Sequence, residues 1–234
     1  MHSKRTPPNP LFVKKRGRRH TIMFDIVIPV LNEEKLLQEK RDYYQWLKIK
    51  GRLIFVDGGS LDRTREIAKD LGEVISSSRG RARQMNAGAG IGQSPNLLFL
   101  HVDTFVSEEA FLQMEKIWQT DVCAGCFSMR IVERGFIFRA FESLVNFRAR
   151  RFKIIDGDLG LFVKREVFER LGGFDSVSVM EDILFSRKLR RVGKAAALAG
   201  NIFVSARRWR QNGFWKTFLQ YSRAYFDLWT GKIK

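Results

Sequence analysis

Histidine, cysteine, proline and acid are all in short supply in this chain, which has three His, two Cys and five Pro among 234 residues. His2 and His20 lie near the amino terminus, so His101 is the only histidine available to the body of the protein, and a multi-histidine metal centre is excluded. Cys123 and Cys126 form a single CxxC inside the apolar, strand-like run "VCAGCFSMRI". A redox CxxC of the thioredoxin type precedes a helix, and a zinc ribbon needs a second pair, so both thiols read as buried and structural. Asp and Glu total 25 against 42 Lys and Arg, a formal net charge of +17. Such a balance bears on partners and leaves nucleic acid, anionic lipid and phosphorylated small molecules as candidates. The first 24 residues contain no acid at all and surround "TPPNP" with Lys and Arg, so residues 1–22 read as a basic disordered tail. That segment lacks the apolar core of a signal peptide, and no run approaches the roughly 18 uninterrupted apolar residues of a membrane span. The expected location is the cytoplasm.

Hydrophobic residues make up 44% of the chain and include 20 Phe, enough for a full core, and residues 23–234 read as one domain. "FDIVIPV" is a buried strand, and residues 32–51 read as one amphipathic helix stopped by Gly51. "RLIFVD", "EVISS" and "NLLFLHVD" are further strands, each followed by a helix: "DRTREIAKDLG", "GRARQMNAGAG" and "SEEAFLQMEKIWQ", the last opened by Ser107. Four βα units in succession demand a parallel sheet covered by helices, with right-handed crossovers. The second half adds the strand "VCAGCFSMRIV", the helix "FIFRAFESLVNFRARRFK", the strand "LGLFVKR", helices near 166–171, 181–192 and 213–229, and a short strand "NIFVSA". The first half, 23–104, reads as a nucleotide-binding βαβ layer; residues 105–212 supply something else on the same sheet, the acceptor half if the resemblance given below holds, and 213–229 is a C-terminal amphipathic helix.

Open α/β sheets bind ligands at the carboxyl ends of their strands. There the sequence delivers Asn32 and Glu33, then Asp57, then His101 and Asp103. Singly, Asn32 could cap a helix and Asp57 could satisfy turn amides; their recurrence at strand ends favours a shared crevice. His101 and Asp103 are two apart, so extended geometry would project both to one side as a clamp for Mn²⁺ or Mg²⁺, the alternative being a surface histidine beside a capping acid. Arg79, Arg81 and Arg83 surround a helix start, where free amides favour phosphate, or else form a solvated basic face. Glu181 and Asp182 open a helix, where acids are ordinary dipole partners, yet a carboxylate facing a pocket can deprotonate a hydroxyl.

Taken in order, "DIVIPVLNEE", "FVDGGSLDRT", "RGRARQMNAGA", "LLFLHVDT", "GDLGLFVKREVFERLGGFD", "EDILFSRKLRRVGK" and "SARRWRQNG" resemble the family 2 glycosyltransferases of GT-A fold, and most nearly the selenodomain-associated subgroup. The resemblance runs from about residue 24 to 216. It implies transfer of a sugar from a nucleotide-diphosphate donor to an acceptor hydroxyl, with inversion and a divalent metal. Pro29, Asn32 and Glu33 would border the nucleotide, Asp57 would bind its base or ribose, and Arg79, Arg83 and Asn86 would complete that pocket. Asp103, with His101, would hold the metal. Asp182 of the Glu181–Asp182 pair would be the base, and Arg208 and Trp209 would lie near the diphosphate or acceptor. His101 replaces the first acid of the usual DxD, which predicts weaker metal binding or binding that depends on donor phosphates. Gly58, Leu159 and Ser205 also depart from the family's DDGS, GDQ and QxxRW patterns.

The aromatic and basic helices 136–153 and 214–229 fit either core packing or an anionic bilayer, and with the basic tail suggest a lipid-linked acceptor at the inner face of the cell membrane. Three rivals are a nucleic-acid-binding protein, a nucleotidyltransferase and a degenerate glycosyltransferase. The first lacks any RNP, KH, zinc-finger or helix-turn-helix pattern, and acids at successive strand ends would repel phosphodiesters, so no nucleic-acid partner is expected. The second would carry a Gly-rich basic loop where this chain has "PVLNEE".

Overall fold

The computed structural model describes residues 24–232, and the basic tail expected over 1–22 lies outside the described residues. The described residues form one eight-stranded sheet: β1 (Phe24–Val30), β2 (Arg52–Asp57), β3 (Glu73–Ser76), β4 (Asn96–Phe99), β5 (Thr104–Val106), β6 (Val122–Ile131), β7 (Leu161–Lys164) and β8 (Lys194–Val204). Their order is β3-β2-β1-β4-β7-β6-β8-β5. The first four run parallel. β7 enters antiparallel between β4 and β6, and β5 closes the far edge antiparallel to β8. The parallel half is as the βα alternation requires; the second half makes the whole a mixed sheet.

Helices cover both faces because the strands point alternate side chains to opposite sides. Ile26, Ile28 and Phe55 pack against α1 (Glu34–Glu39), α2 (Arg41–Lys48), α3 (Thr64–Leu71) and α5 (Glu108–Ile117) through Leu37, Tyr44, Leu47, Leu71 and Phe111. Val27, Ile54 and Val56 meet the other layer, which comprises α4 (Arg81–Ile91), α6 (Phe136–Phe152), α7 (Arg165–Arg170), α8 (Glu181–Leu189) and α9 (Arg207–Asn212). α10 (Phe214–Trp229) packs beside α6. Phe55, Phe111, Phe127 and Phe162 are fully buried, each contributing roughly 1.5–3 kcal/mol. α4 lies unusually close to the sheet: a Cβ on Gly88 would stand 2.4 Å from Val27 Cγ1 and 2.8 Å from Val56 Cγ2.

Several elements differ from the sequence expectation. The helix expected over 32–51 is two helices, because the backbone leaves helical geometry at Lys40 (φ −108°, ψ 17°). β4 stops at Phe99, so His101 and Asp103 lie in a turn rather than on an extended strand. β5 and α9 were not anticipated, and β8 runs back to Lys194, well ahead of the expected "NIFVSA".

Candidate active site

The chain goes from β1 to β2 and β3 on one side and to β4 on the other, so the topological switch point lies between the carboxyl ends of β1 and β4, where such sheets bind ligands. A cleft of about 250 Å³ opens there. Pro29 and Glu33 come from the end of β1, Arg79, Gly80, Arg81 and Gln84 from the start of α4 and the residues before it, His101 to Asp103 from the turn after β4, and Arg207 from α9. Glu33 takes both ends of the Arg207 guanidinium, at 2.7 and 2.8 Å. Gln84 is buried and donates to the carbonyls of Val30 and Val56 at 3.1 and 2.7 Å, tying the ends of β1 and β2 to α4.

Two tyrosines of α2 hold the turn that carries His101 and Asp103. Tyr44 Oη donates to Val102 O at 2.7 Å, and Tyr43 Oη accepts from Val106 N at 3.0 Å. His101 Nδ1 lies 2.7 Å from Asp158 Oδ1. Burial disfavours the charged imidazolium, but the hydrogen bond and charge of Asp158 outweigh it and raise the His101 pKa. Burial raises the pKa of Asp103 too, with Asp158 adding to it and His101 and Arg207 offsetting part. Among the described residues no group of three or more His, Cys, Asp or Glu side chains is arranged to hold a metal ion. Asp103 and His101 nonetheless offer an oxygen and a ring nitrogen, and a carboxylate whose charge is disfavoured by burial is one that a cation would relieve.

A second cavity, of about 610 Å³, adjoins the cleft, and Arg81 and His101 line both. Its walls are mostly apolar, with Met129 and Ile131 of β6, Phe141 and Leu144 of α6, Trp209 of α9 and Phe218 of α10. Its polar end carries Asp156, Asp158 and Asp182. Asp182 accepts hydrogen bonds from Gly157 N and, at 2.7 Å, from Ile183 N. A Cβ on Gly157 would stand 2.8 Å from His101 Nε2 and 2.9 Å from Asp182 Oδ2, so imidazole and carboxylate flank this glycine. Met180, just before α8, has φ +67°, a left-handed conformation uncommon for a non-glycine, and it too lines the cavity. Glu181 is almost fully buried and reaches Arg81 Nε at 3.0 Å, so it acts on the guanidinium at the junction of the two cavities. Burial raises the Glu181 pKa and Arg81 opposes it.

The structure thus brings Pro29, Glu33, Arg79, His101 and Asp103 to the cleft, and Asp182 and Trp209 to the adjoining cavity. Trp209 is mainly a packing residue, stacked on Phe214 with centroids 5.0 Å apart. Asn32, Asp57, Arg83 and Asn86 do not line the cleft. Asn32 is exposed, at φ +54°, with its Oδ1 accepting from Leu61 N at 2.8 Å. Asp57 stands at the end of β2, but its oxygens accept from Gly59 and Ser60 N–H groups, so the turn consumes them. Arg83 is exposed, and the Asn86 amide is spent on both backbone groups of Phe174, at 2.8 and 2.9 Å. The Arg208 side chain lies outside the described residues. Sequence reasoning missed Gln84, Arg148, Asp156, Arg207 and Tyr225. The two-apart pair Asp156 and Asp158 in "IIDGDLG" was the one available signal.

Residues 25–170 match the family described as Glycosyl transferase family 2. No curated protein matches the chain by sequence. Solved structures of similar fold include S. aureus TarS 1–349, with TM-score 0.60, 17% identity, and coverage of 79% of this chain and 61% of that one. The mannosyltransferase PcManGT from Pyrobaculum calidifontis, in complex with GDP-Man and Mn²⁺, gives 0.59, 21%, 77% and 56%. Glucosyl-3-phosphoglycerate synthase from Mycobacterium tuberculosis, in complex with Mn²⁺, UDP and glucosyl-3-phosphoglycerate, gives 0.59, 19%, 79% and 71%. This chain therefore spans less than two thirds of the TarS 1–349 chain. At these identities the likeness establishes the mixed α/β GT-A fold.

Proposed function

The chain belongs to the family 2 glycosyltransferases, and from that premise we propose that it moves a hexose from a nucleotide-diphosphate donor to an acceptor hydroxyl, in one displacement with inversion. The observation that carries this reading is the meeting of two cavities at Arg81 and His101, one polar and at the switch point, the other mostly apolar and holding Asp182. The donor occupies the first, bordered by Pro29 and Glu33, with its phosphates near Arg79, Arg81 and the amino-terminal end of α4. The acceptor occupies the second. Asp182 takes the proton of the acceptor hydroxyl as its oxygen bonds to the anomeric carbon, and the bond from that carbon to the diphosphate oxygen breaks. Arg81, held by Glu181, stabilises the departing charge.

Asp103 and His101 would hold a divalent cation, Mn²⁺ or Mg²⁺. Bound there, it would neutralise charge on the diphosphate. The structural relatives crystallised with Mn²⁺ support this. His101 before Asp103, together with the order of the motifs, supports membership of the selenodomain-associated subgroup. In this reading residues 23–104 form the donor half and 105–212 the acceptor half.

We further infer a lipid-linked acceptor and a protein at the cytoplasmic membrane face. Among the described residues no helix is long and apolar enough to cross a membrane. α6 and α10 nevertheless expose Phe136 (86%), Phe147, Trp215 (68%), Leu219 and Phe226 while their other sides pack inward through Val145, Ala149 and Leu228. Lys216 and Arg223 on α10 and Arg150 and Arg151 on α6 supply the accompanying positive charge.

A thermal-shift screen of UDP-, GDP-, ADP- and dTDP-sugars, with and without Mn²⁺, tests the reading. One donor should raise the melting point, and more so with Mn²⁺. No shift with any donor would refute it.

A further inference from the structure

Next to Asp182 the acceptor cavity carries a second carboxylate that the displacement does not use. Asp156 Oδ1 accepts from Tyr225 Oη at 2.5 Å and lies 3.5 Å from Arg148 Nη2, which in turn contacts the Tyr225 hydroxyl. The other oxygen, Oδ2, has no hydrogen-bond partner and almost no accessible surface, although Asp156 lines the cavity. A buried acceptor atom without a donor is costly and uncommon, and a small rotation of the carboxylate toward the cavity would let a ligand hydroxyl supply the missing donor.

The charges at this end narrow the ligand further. Arg81, Arg148 and His101 are the cationic or titratable basic groups among the described residues lining the cavity. Each is already engaged by a carboxylate: Arg81 by Glu181 at 3.0 Å, Arg148 by Asp156, and His101 by Asp158 at 2.7 Å. Asp182 adds a further negative charge, held by the backbone N–H groups of Gly157 and Ile183. With Arg81 turned to the donor diphosphate, Arg148 on Asp156 and His101 on Asp158, an anionic acceptor head would face an excess of carboxylates, whereas hydroxyl groups can donate to Asp156 and Asp182 alike. The remaining walls, with Met129, Phe141, Leu144, Val145 and Phe218, suit an apolar body of lipid or drug size.

We propose that the acceptor is an uncharged amphiphile bearing at least two hydroxyl groups: its apolar body lies between α6 and α10, one hydroxyl faces Asp182, and a second is held by Asp156. This rests on the glycosyltransferase reading above and names the acceptor class for the same site. Asp156 is then a specificity-determining residue for the head group.

Two single-chain amphiphiles with the same tail, decyl maltoside and decyl phosphate, test it below their micelle-forming concentrations by calorimetric titration of the full chain. The strongly basic surface attracts anionic amphiphiles on its own, so only binding removed by Ala224→Trp counts; Ala224 lines the cavity from α10. The wild type should bind decyl maltoside about tenfold more tightly than decyl phosphate, and Asp156→Ala should weaken the maltoside about tenfold, in line with loss of a hydrogen bond to a charged group. Equal or tighter binding of decyl phosphate, an unchanged maltoside affinity in Asp156→Ala, or no binding that Ala224→Trp removes would each overturn the proposal. Ala224→Trp counts only with the circular dichroism and melting point of the wild type; if it fails that check, Leu144→Trp, which fills the same cavity from α6, takes its place. A nucleotide-sugar thermal shift on the same preparation separates the two readings. Maltoside selectivity without donor binding removes the glycosyltransferase reading and leaves the amphiphile site, and donor binding without selectivity does the reverse.

Discussion

Replacing Asp156 by Asn should stabilise the protein at neutral pH relative to acid pH, by an amount that the surroundings of the carboxyl set. Burial is the main influence and raises its pKa from 3.8 to about 6; the charges of Asp182 and Asp158 raise it further, while Arg148 and the Tyr225 hydroxyl pull it down. That rise corresponds to roughly 3 kcal/mol between the folded and unfolded chains. The folded protein binds this proton more tightly than the unfolded chain does. The favourable contribution is therefore fully present below the unfolded value, and it is lost as pH rises through the window from 3.8 to about 6. Asn cannot ionise, so the variant escapes that loss. Urea unfolding of both proteins at about pH 4 and about pH 7.5 gives the double difference, in which titrations common to both cancel. The variant should gain roughly 2–3 kcal/mol on the wild type between the two conditions. A stability difference that does not change with pH would show that Asp156 is not a buried, destabilised carboxylate, and with it the electrostatic picture of the cavity end would fail.

Other consequences are equally measurable. Gly88→Ala should lose about 1–3 kcal/mol in chemical denaturation, because its methyl group would be forced against Val27 and Val56. Asp25→Ala removes a fully buried carboxylate paired with Arg165 at 2.8 Å and bonded to Ser94, and should cost about 3–5 kcal/mol by the same assay. Trp215→Glu should reduce sedimentation with anionic vesicles at low salt without changing the melting point, since Trp215 is 68% exposed; unchanged sedimentation would remove α10 from the membrane reading.

The parallel half of the fold was legible because its strands are buried on both faces and therefore read as continuous apolar runs; every residue of β1 is buried. Direction and partner were legible only where a helix connects two strands. Nothing local in "LFVK" says that β7 slots antiparallel between β4 and β6, since that depends on contacts far along the chain. The three-residue edge strand β5 is too short to show alternation, and the alanines that open β8 carry no contrast between faces. At the site, residues that end strands were identifiable from sequence, but what each side chain does there was not. Asp57 and Asn86 turn to neighbouring backbone amides, whereas Arg207 reaches the cleft through an ion pair with Glu33, 174 residues away. The spacing of Asp156 and Asp158 hinted at a site, but the partners of Asp156 became visible only once α6, α10 and the turn before β7 were brought together.

The central claim is that Asp182 serves the transfer step and not donor binding. Calorimetric titration of the donor in the presence of Mn²⁺, paired with the rate at which nucleotide diphosphate is released once an acceptor is supplied, tests it on the wild type and Asp182→Asn. The account predicts a donor affinity within about threefold of the wild type and a release rate reduced at least about a hundredfold, as for a positioned base. Release at an undiminished rate by Asp182→Asn would contradict it.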